Sequence, residues 1–271
     1  MRNSGNDLAI KINGIDISYD DLGKGPLTLI FIHAFPLNKS SWKVQLEKLS
    51  ENYRVIVYDI RGFGNSSDSE EKTTITLMAN DLLLLLEALE VEKPVLCGLS
   101  MGGYIALNMI TRFPDKFKGL ILSDTQCVAD SEEGKKKRYD NIELIKNGDL
   151  KKFAEAFVKN AFGKTTHEKN KELVDRTLDQ ILNTNTTTIT NSLEALAERS
   201  ETCTFLKTIV KPTLVICGEE DVVTPPEKSK FMNEKISGST LKIIPGAGHF
   251  PNLENPEAFN NTLAEFLDTI D

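Results

Sequence analysis

The sequence predicts an α/β fold: a mostly parallel central sheet of about eight strands, helices on both faces, and a helical cap inserted after the sixth strand. Three observations carry this reading. Short apolar runs of strand length alternate with helical periodicities at both ends of the chain, which is the pattern of parallel strands joined by crossover helices. From about Ser131 to Leu206 the alternation stops and only helical patterns remain. Near the start, Ile10-Lys11-Ile12 and Ile15-Asp16-Ile17-Ser18-Tyr19 flank Asn13-Gly14, a two-residue hairpin link that puts an antiparallel pair at the edge. The expected organisation is a core of residues 1–125 and 207–271 with a cap of residues 126–206.

The elements follow in order. Leu27 to Ile32 is apolar on both faces and reads as a buried central strand ending at His33-Ala34-Phe35-Pro36. Ser40 or Ser41 is expected to cap a helix carrying Trp42, Val44, Leu46 and Leu49. Tyr53 to Tyr58 is the next strand, and it runs into the polar loop Asp59-Ile60-Arg61-Gly62-Phe63-Gly64-Asn65-Ser66. A helix capped by Thr76 reaches Leu89. Its five consecutive leucines, Leu82 to Leu86, lie between Asp81 and Glu87 and fall far short of the ~20 apolar residues of a membrane span. Pro94 to Leu99 is a strand, and the helix after it must stop at Pro114. Leu120 to Ser123 is the sixth strand, closed by Asp124.

In the inserted segment, Leu150, Phe153, Ala154, Phe157, Val158 and Ala161 fall on one helical face. Leu173, Val174, Leu178 and Ile181 form a second such face, and Ile189, Leu193 and Leu196 a third, with Thr184 to Thr188 expected as the loop before it. Alternation resumes with the strand Thr213 to Cys217, a helix near Glu227 to Lys235, the strand Leu241 to Ile244, and a last helix from Pro256 to about Ile270.

Of 271 residues, 40% are hydrophobic and 27% charged, and the formal net charge is −8. That balance argues against a nucleic-acid partner or an anionic membrane surface, either of which favours a concentrated basic patch. The one dense basic run, Lys135-Lys136-Lys137-Arg138, reads as the solvated face of a helix. The four cysteines, Cys97, Cys127, Cys203 and Cys217, show no paired spacing and no nearby histidine, so neither a zinc site nor a disulfide framework is expected. The first seven residues contain no apolar segment of a secretory signal, which makes a cytoplasmic location the expectation.

Chemistry concentrates at Gly98-Leu99-Ser100-Met101-Gly102, a lone serine between glycines where a strand pattern turns into a helix pattern. This reads as a nucleophile elbow: the serine hydroxyl projects from the sheet, and the first helical N–H groups stay free to bond a developing oxyanion. Serine needs a base, and the chain offers His33, His167 and His249. His249 lies in Gly246-Ala247-Gly248-His249-Phe250-Pro251, directly after the last strand, and is the best placed. His167 belongs to a polar, solvated stretch, and His33 is expected to brace its neighbouring loop. The base in turn needs a carboxylate. Asp221 and Asp124, both at strand ends, are candidates, with Glu219 and Glu220 as alternatives in the loop of Asp221.

Taken together these motifs resemble the α/β-hydrolase superfamily, in its serine hydrolase branch, over nearly the whole chain. Ser100, Asp221 and His249 stand in that family's order. His33-Ala34-Phe35-Pro36 resembles its oxyanion loop, with Ala34 where glycine is usual. Asp59-x-Arg61-Gly62-x-Gly64-x-Ser66 resembles its loop after the next strand, and Gly218-x-x-Asp221-x-x-x-Pro225 its acid loop. The resemblance implies acyl transfer with Ser100 as nucleophile, His249 as base, Asp221 as its orienting acid, and the N–H groups of Phe35 and Met101 as the oxyanion hole. It calls for no metal and no cofactor.

The same resemblance implies a small-molecule ester or lactone substrate, as in carboxylesterases and enol-lactonases. Phe35, Trp42, Phe153 and Phe157 are the candidate substrate contacts. Carbon–carbon bond hydrolysis on the same fold and non-catalytic binding of a small ligand are the alternatives.

Overall fold

The computed structural model describes residues 4–270. The Asn13-Gly14 link forms the expected hairpin, both residues at positive φ (47° and 78°), between β1 (Gly5–Ile12) and β2 (Ile15–Leu22). The remaining strands among the described residues are β3 (Thr28–Ile32), β4 (Arg54–Tyr58), β5 (Val95–Leu99), β6 (Gly119–Ser123), β7 (Thr213–Gly218) and β8 (Thr240–Ile244). All eight belong to one sheet in the order β1-β2-β4-β3-β5-β6-β7-β8. Antiparallel pairing is confined to β1 with β2 and β2 with β4. Every other neighbouring pair is parallel, so β4, β3, β5, β6, β7 and β8 point their carboxyl ends to one edge. The continuous apolar runs of β4, β5 and β6 are buried at every residue, as strands covered on both faces require.

The covering helices are α1 (Lys43–Leu49), α2 (Ile75–Ala88), α3 (Met101–Arg112), α9 (Pro226–Lys235), the short α10 (Pro251–Glu254) and α11 (Pro256–Leu267). Between β6 and β7 come α4 (Glu132–Lys146), α5 (Leu150–Ala161), α6 (Lys164–Lys169), α7 (Lys171–Leu182) and α8 (Thr186–Ala197), with no strand among them. The face read from α5 is buried at Phe153, Ala154, Val158 and Ala161. Each large apolar side chain so covered stabilises the packing by about 1.5–3 kcal/mol relative to exposure.

Some local expectations shift. The cap before α1 is Asn38, whose side chain accepts from Ser40 N at the start of a 3-10 turn, Lys39–Trp42. Thr74, not Thr76, caps α2 by accepting from Leu77 N. The threonine-rich stretch is a loop only as far as Asn185, which caps α8 and leaves Thr186 to Thr188 as its first turn. At the first two, a side chain two or three residues upstream of the expected cap reaches the free N–H groups. Leu82, Leu85 and Leu86 are buried, while Leu84 is exposed at the solvent side of α2.

The cysteines require a correction. Cys97 and Cys217 are buried and free, but Cys127 and Cys203 form a disulfide, although no disulfide was expected from their spacing. The two lie 76 residues apart in sequence with their Cα atoms 4.8 Å apart. They close the two ends of the helical insertion against each other, a proximity that only the fold creates. No helix among the described residues is long and apolar enough to cross a membrane.

Candidate active site

Ser100 stands between β5 and α3 with φ 54° and ψ −110°, a conformation costly for a residue with a side chain. Its neighbours impose it. A Cβ on Gly98 would overlap the carbonyl of Gly102, and a Cβ on Gly102 would overlap that of Ile32, so only glycines let strand and helix pass this closely. Ser100 N donates to Ser123 O at 2.9 Å, and Thr125 Oγ1 donates to Ser100 O at 2.9 Å, which ties the turn to the adjacent β6.

His249 arrives from the loop after β8, and its Nε2 is 2.8 Å from Ser100 Oγ. On the other side of the ring, Nδ1 is 2.9 Å from Asp221 Oδ2. A neutral ring with its proton on Nδ1 donates to the carboxylate and leaves Nε2 to accept from the serine hydroxyl. The Asp221 carboxylate also accepts from Val223 N, Thr224 N and Thr224 Oγ1, at 2.8, 3.1 and 2.7 Å. Burial by itself would raise its pKa, but the facing His249 ring and these hydrogen bonds outweigh it and hold the group well below the usual carboxylate range. Such a chain can take the serine proton as the oxygen attacks and stabilise the resulting imidazolium.

The other sequence candidates fall elsewhere. Asp124 is fully buried, receives Gly218 N at 2.8 Å, and bonds Ser123 Oγ at 2.7 Å. Burial first, and the charge of Asp221 second, push its pKa well up from the ordinary carboxylate value. His33 braces its loop as expected: Nδ1 bonds Ala34 O at 2.9 Å and Ile60 N donates to Nε2 at 3.0 Å. His167 is exposed. Glu219 accepts from Gly246 N and Glu220 from Thr165, so neither takes part in the serine–histidine chain.

The N–H groups of Phe35 and Met101 have no hydrogen-bond partner among the described residues. Ala34 is absent from the residues at positive φ, so an alanine fits where glycine is usual in this loop. Phe35 packs edge-on against Phe153 and Phe157, with ring centroids 6.3 and 5.9 Å apart. Phe157 in turn lies 6.3 Å from Phe250, the residue after His249. Phe35, Phe153 and Phe157, with Leu193, Val222 and Val223, line a cavity of about 420 Å³ that is also lined by Lys137, Arg138, Asn141 and Asn160. A second cavity, about 450 Å³ and beside Cys127, shares no lining residue with it and holds none of the predicted site residues.

Two expectations are corrected here. Trp42, proposed as a substrate contact, is fully buried between Phe31 and Phe259, with ring centroids 4.8 and 6.0 Å away. It seats α1 on the sheet and does not face the cavity. The basic run is not a uniformly solvated face either. Lys135 and Lys136 pair with acids of their own helix, but Arg138 pairs with Asp130, and Lys137 and Arg138 line the cavity.

Sequence reading missed two residues that hold this geometry. Thr224 sits three positions after Asp221, a spacing at which an aspartate commonly caps its own turn, and that signal was available. Glu254 has no such signature. Its carboxylate bonds the loop of His249 and the segment after α5 together.

Residues 28–256 match the model of the alpha/beta hydrolase fold family. The chain is 30% identical to 3-oxoadipate enol-lactonase 1 of Acinetobacter baylyi, over 98% of this chain and 95% of that one. Among solved structures, a thermophilic esterase from Thermogutta terrifontis, with malate bound, superposes with a TM-score of 0.91 at 34% identity, covering 96% of both chains. An esterase from Exiguobacterium antarcticum gives 0.88 at 27% identity, covering 98% of this chain and 100% of its own. With the eight-stranded sheet, the serine turn after β5 and these likenesses along nearly its full length, the chain belongs to the alpha/beta hydrolase fold family.

Proposed function

We propose that the protein is a serine hydrolase that cleaves a small carboxylic ester or lactone through an acyl-enzyme intermediate. The observation that carries this reading is the unbroken hydrogen-bonded chain from Ser100 Oγ through His249 to Asp221, set at the strained turn of Ser100. In this proposal Ser100 Oγ attacks the acyl carbon while His249 Nε2 takes its proton. The N–H groups of Phe35 and Met101 receive the oxyanion. His249 returns the proton to the departing alkoxide, and a water molecule activated by the same imidazole then releases the acid from Ser100. For a lactone the leaving oxygen stays attached to the acyl group, and the product is a hydroxy or keto acid.

The helices between β6 and β7 act in this reading as a cap, with residues 1–125 and 207–271 as the core. Phe35, Phe153 and Phe157 supply an apolar wall for a small-molecule substrate. The names of the enol-lactonase and esterase relatives support ester chemistry. The test uses a serine-directed phosphonate and a panel of aryl esters and lactones. Stoichiometric labelling at Ser100, with activity lost in Ser100→Ala, is expected. An unlabelled serine, or a Ser100→Ala enzyme turning over at the wild-type rate, would refute the proposal.

A further inference from the structure

The loop that carries His249 is not held by the sheet alone. Glu254, on α10, accepts from Gly248 N at 2.9 Å and Phe250 N at 3.0 Å through Oε1, thereby bonding the residues on either side of His249. Through Oε2 the same carboxylate accepts from Gly163 N at 2.8 Å, on the segment joining α5 to α6, and from Thr166 Oγ1 at 2.6 Å, in the first turn of α6. His249's own N–H donates to Ala161 O at 2.7 Å, the last residue of α5. The acid loop is tied to the same segment, for Glu220, beside Asp221, accepts from Thr165 N at 3.1 Å and Thr165 Oγ1 at 2.8 Å. Residues 161–166 of the insertion are thus bonded to the loops of both the base and the acid.

We propose that Glu254 is a positioning residue that makes the orientation of His249 depend on the seat of the cap segment 161–166. This rests on the serine hydrolase reading above. A carboxylate is required because each of its oxygens receives two donors. A glutamine has one accepting oxygen, and its NH₂ would face two N–H or O–H donors on the other side. Either the histidine loop or the cap segment is then released, and the imidazole loses a fixed approach to Ser100 and to the leaving group. A misdirected imidazole harms most the step in which it must give a proton to the leaving oxygen. An alkoxide needs that proton, whereas a stable aryl oxide departs without it.

The experiment compares two esters of one acyl group, one with an aryl and one with an alkyl leaving group. Rates are expressed per active site, counted by phosphonate titration so that an unfolded fraction does not enter. Glu254→Gln is expected to lower kcat/KM, which reports the acylation step, about tenfold more for the alkyl ester than for the aryl ester. Thr166→Ala, a small change that removes one cap-side bond, is expected to move the same ratio in the same direction by less. A wild-type alkyl-to-aryl ratio in either variant overturns the proposal, and Thr166→Ala decides alone if Glu254→Gln does not fold. Failure of the underlying reading would show separately, as no phosphonate labelling of the wild-type Ser100.

Discussion

Asp124 and Asp221 follow adjacent parallel strands, and their nearest carboxyl oxygens lie within 4.8 Å in a buried pocket shared with Cys217. Only Asp221 reaches His249. Two buried carboxylates this close cannot both ionise cheaply, and the hydrogen bonds decide which does. Asp221 collects the imidazole, two backbone N–H groups and the Thr224 hydroxyl and is held below the usual carboxylate range, while burial pushes the Asp124 carboxyl well up.

Replacing each by asparagine should therefore have unequal effects. Asp221→Asn is expected to reduce turnover by about 10⁴, the cost of losing the orienting acid in a serine–histidine–aspartate site. Asp124→Asn, at a carboxyl bonded to Gly218 N and Ser123 Oγ and not to His249, should cost much less. Equal losses, or a larger one at Asp124, would place the acid after β6.

His33 predicts a pH dependence of stability. Burial pushes its pKa down from 6.5 to about 4, so the folded protein keeps it neutral while the unfolded chain takes up a proton. This contribution is complete above about 6.5 and is lost as the pH falls toward 4, amounting to about 3 kcal/mol at the bottom of that window. Urea unfolding from pH 7 to 4 should show the loss in the wild type and a flatter profile in His33→Gln. Parallel profiles would show that His33 is not the group responsible.

The Cys127–Cys203 bridge closes a loop of 76 residues that contains the whole helical insertion. Thiol titration of the denatured, unreduced protein should find two thiols, those of Cys97 and Cys217. Cys203→Ser is expected to lower the unfolding free energy by roughly 4 kcal/mol through the regained freedom of that loop. Four thiols in the purified protein would contradict the bridge. Alkylation of the protein in intact cells tests the cytoplasmic expectation, because a reducing cytosol keeps most such pairs as thiols.

The serine hydrolase proposal and the cavity of about 420 Å³ walled by Phe35, Phe153 and Phe157 together predict a limit on the length of the acyl group. Within a series of aryl esters of increasing acyl length, measured below their solubility limits, kcat/KM should peak at short chains. Emulsified long-chain triglyceride should be a poor substrate, since it requires an open apolar surface. A kcat/KM that climbed steadily through long chains would remove the size limit while leaving the serine chemistry intact.

The sheet and the serine turn were legible residue by residue because their signals are local. Alternation at Asn13-Gly14, unbroken apolar runs in β3 to β7, and the glycines around Ser100 each constrain a few consecutive residues. The order Ser100, Asp221, His249 could be read because parallel strands deliver their following loops to one edge. Which carboxylate faces the histidine was open in the sequence, since Asp124 and Asp221 both end strands and differ only in the donors that the neighbouring loops bring to them. The pairing of Cys127 with Cys203, the burial of Trp42 against Phe259, and the joining of Gly163 to Gly248 through Glu254 involve residues 76, 217 and 85 or more positions apart. Contacts at such separations depend on how the helices after β6 settle on the strand ends, a packing equilibrium of many side chains for which no short stretch of sequence carries the pattern.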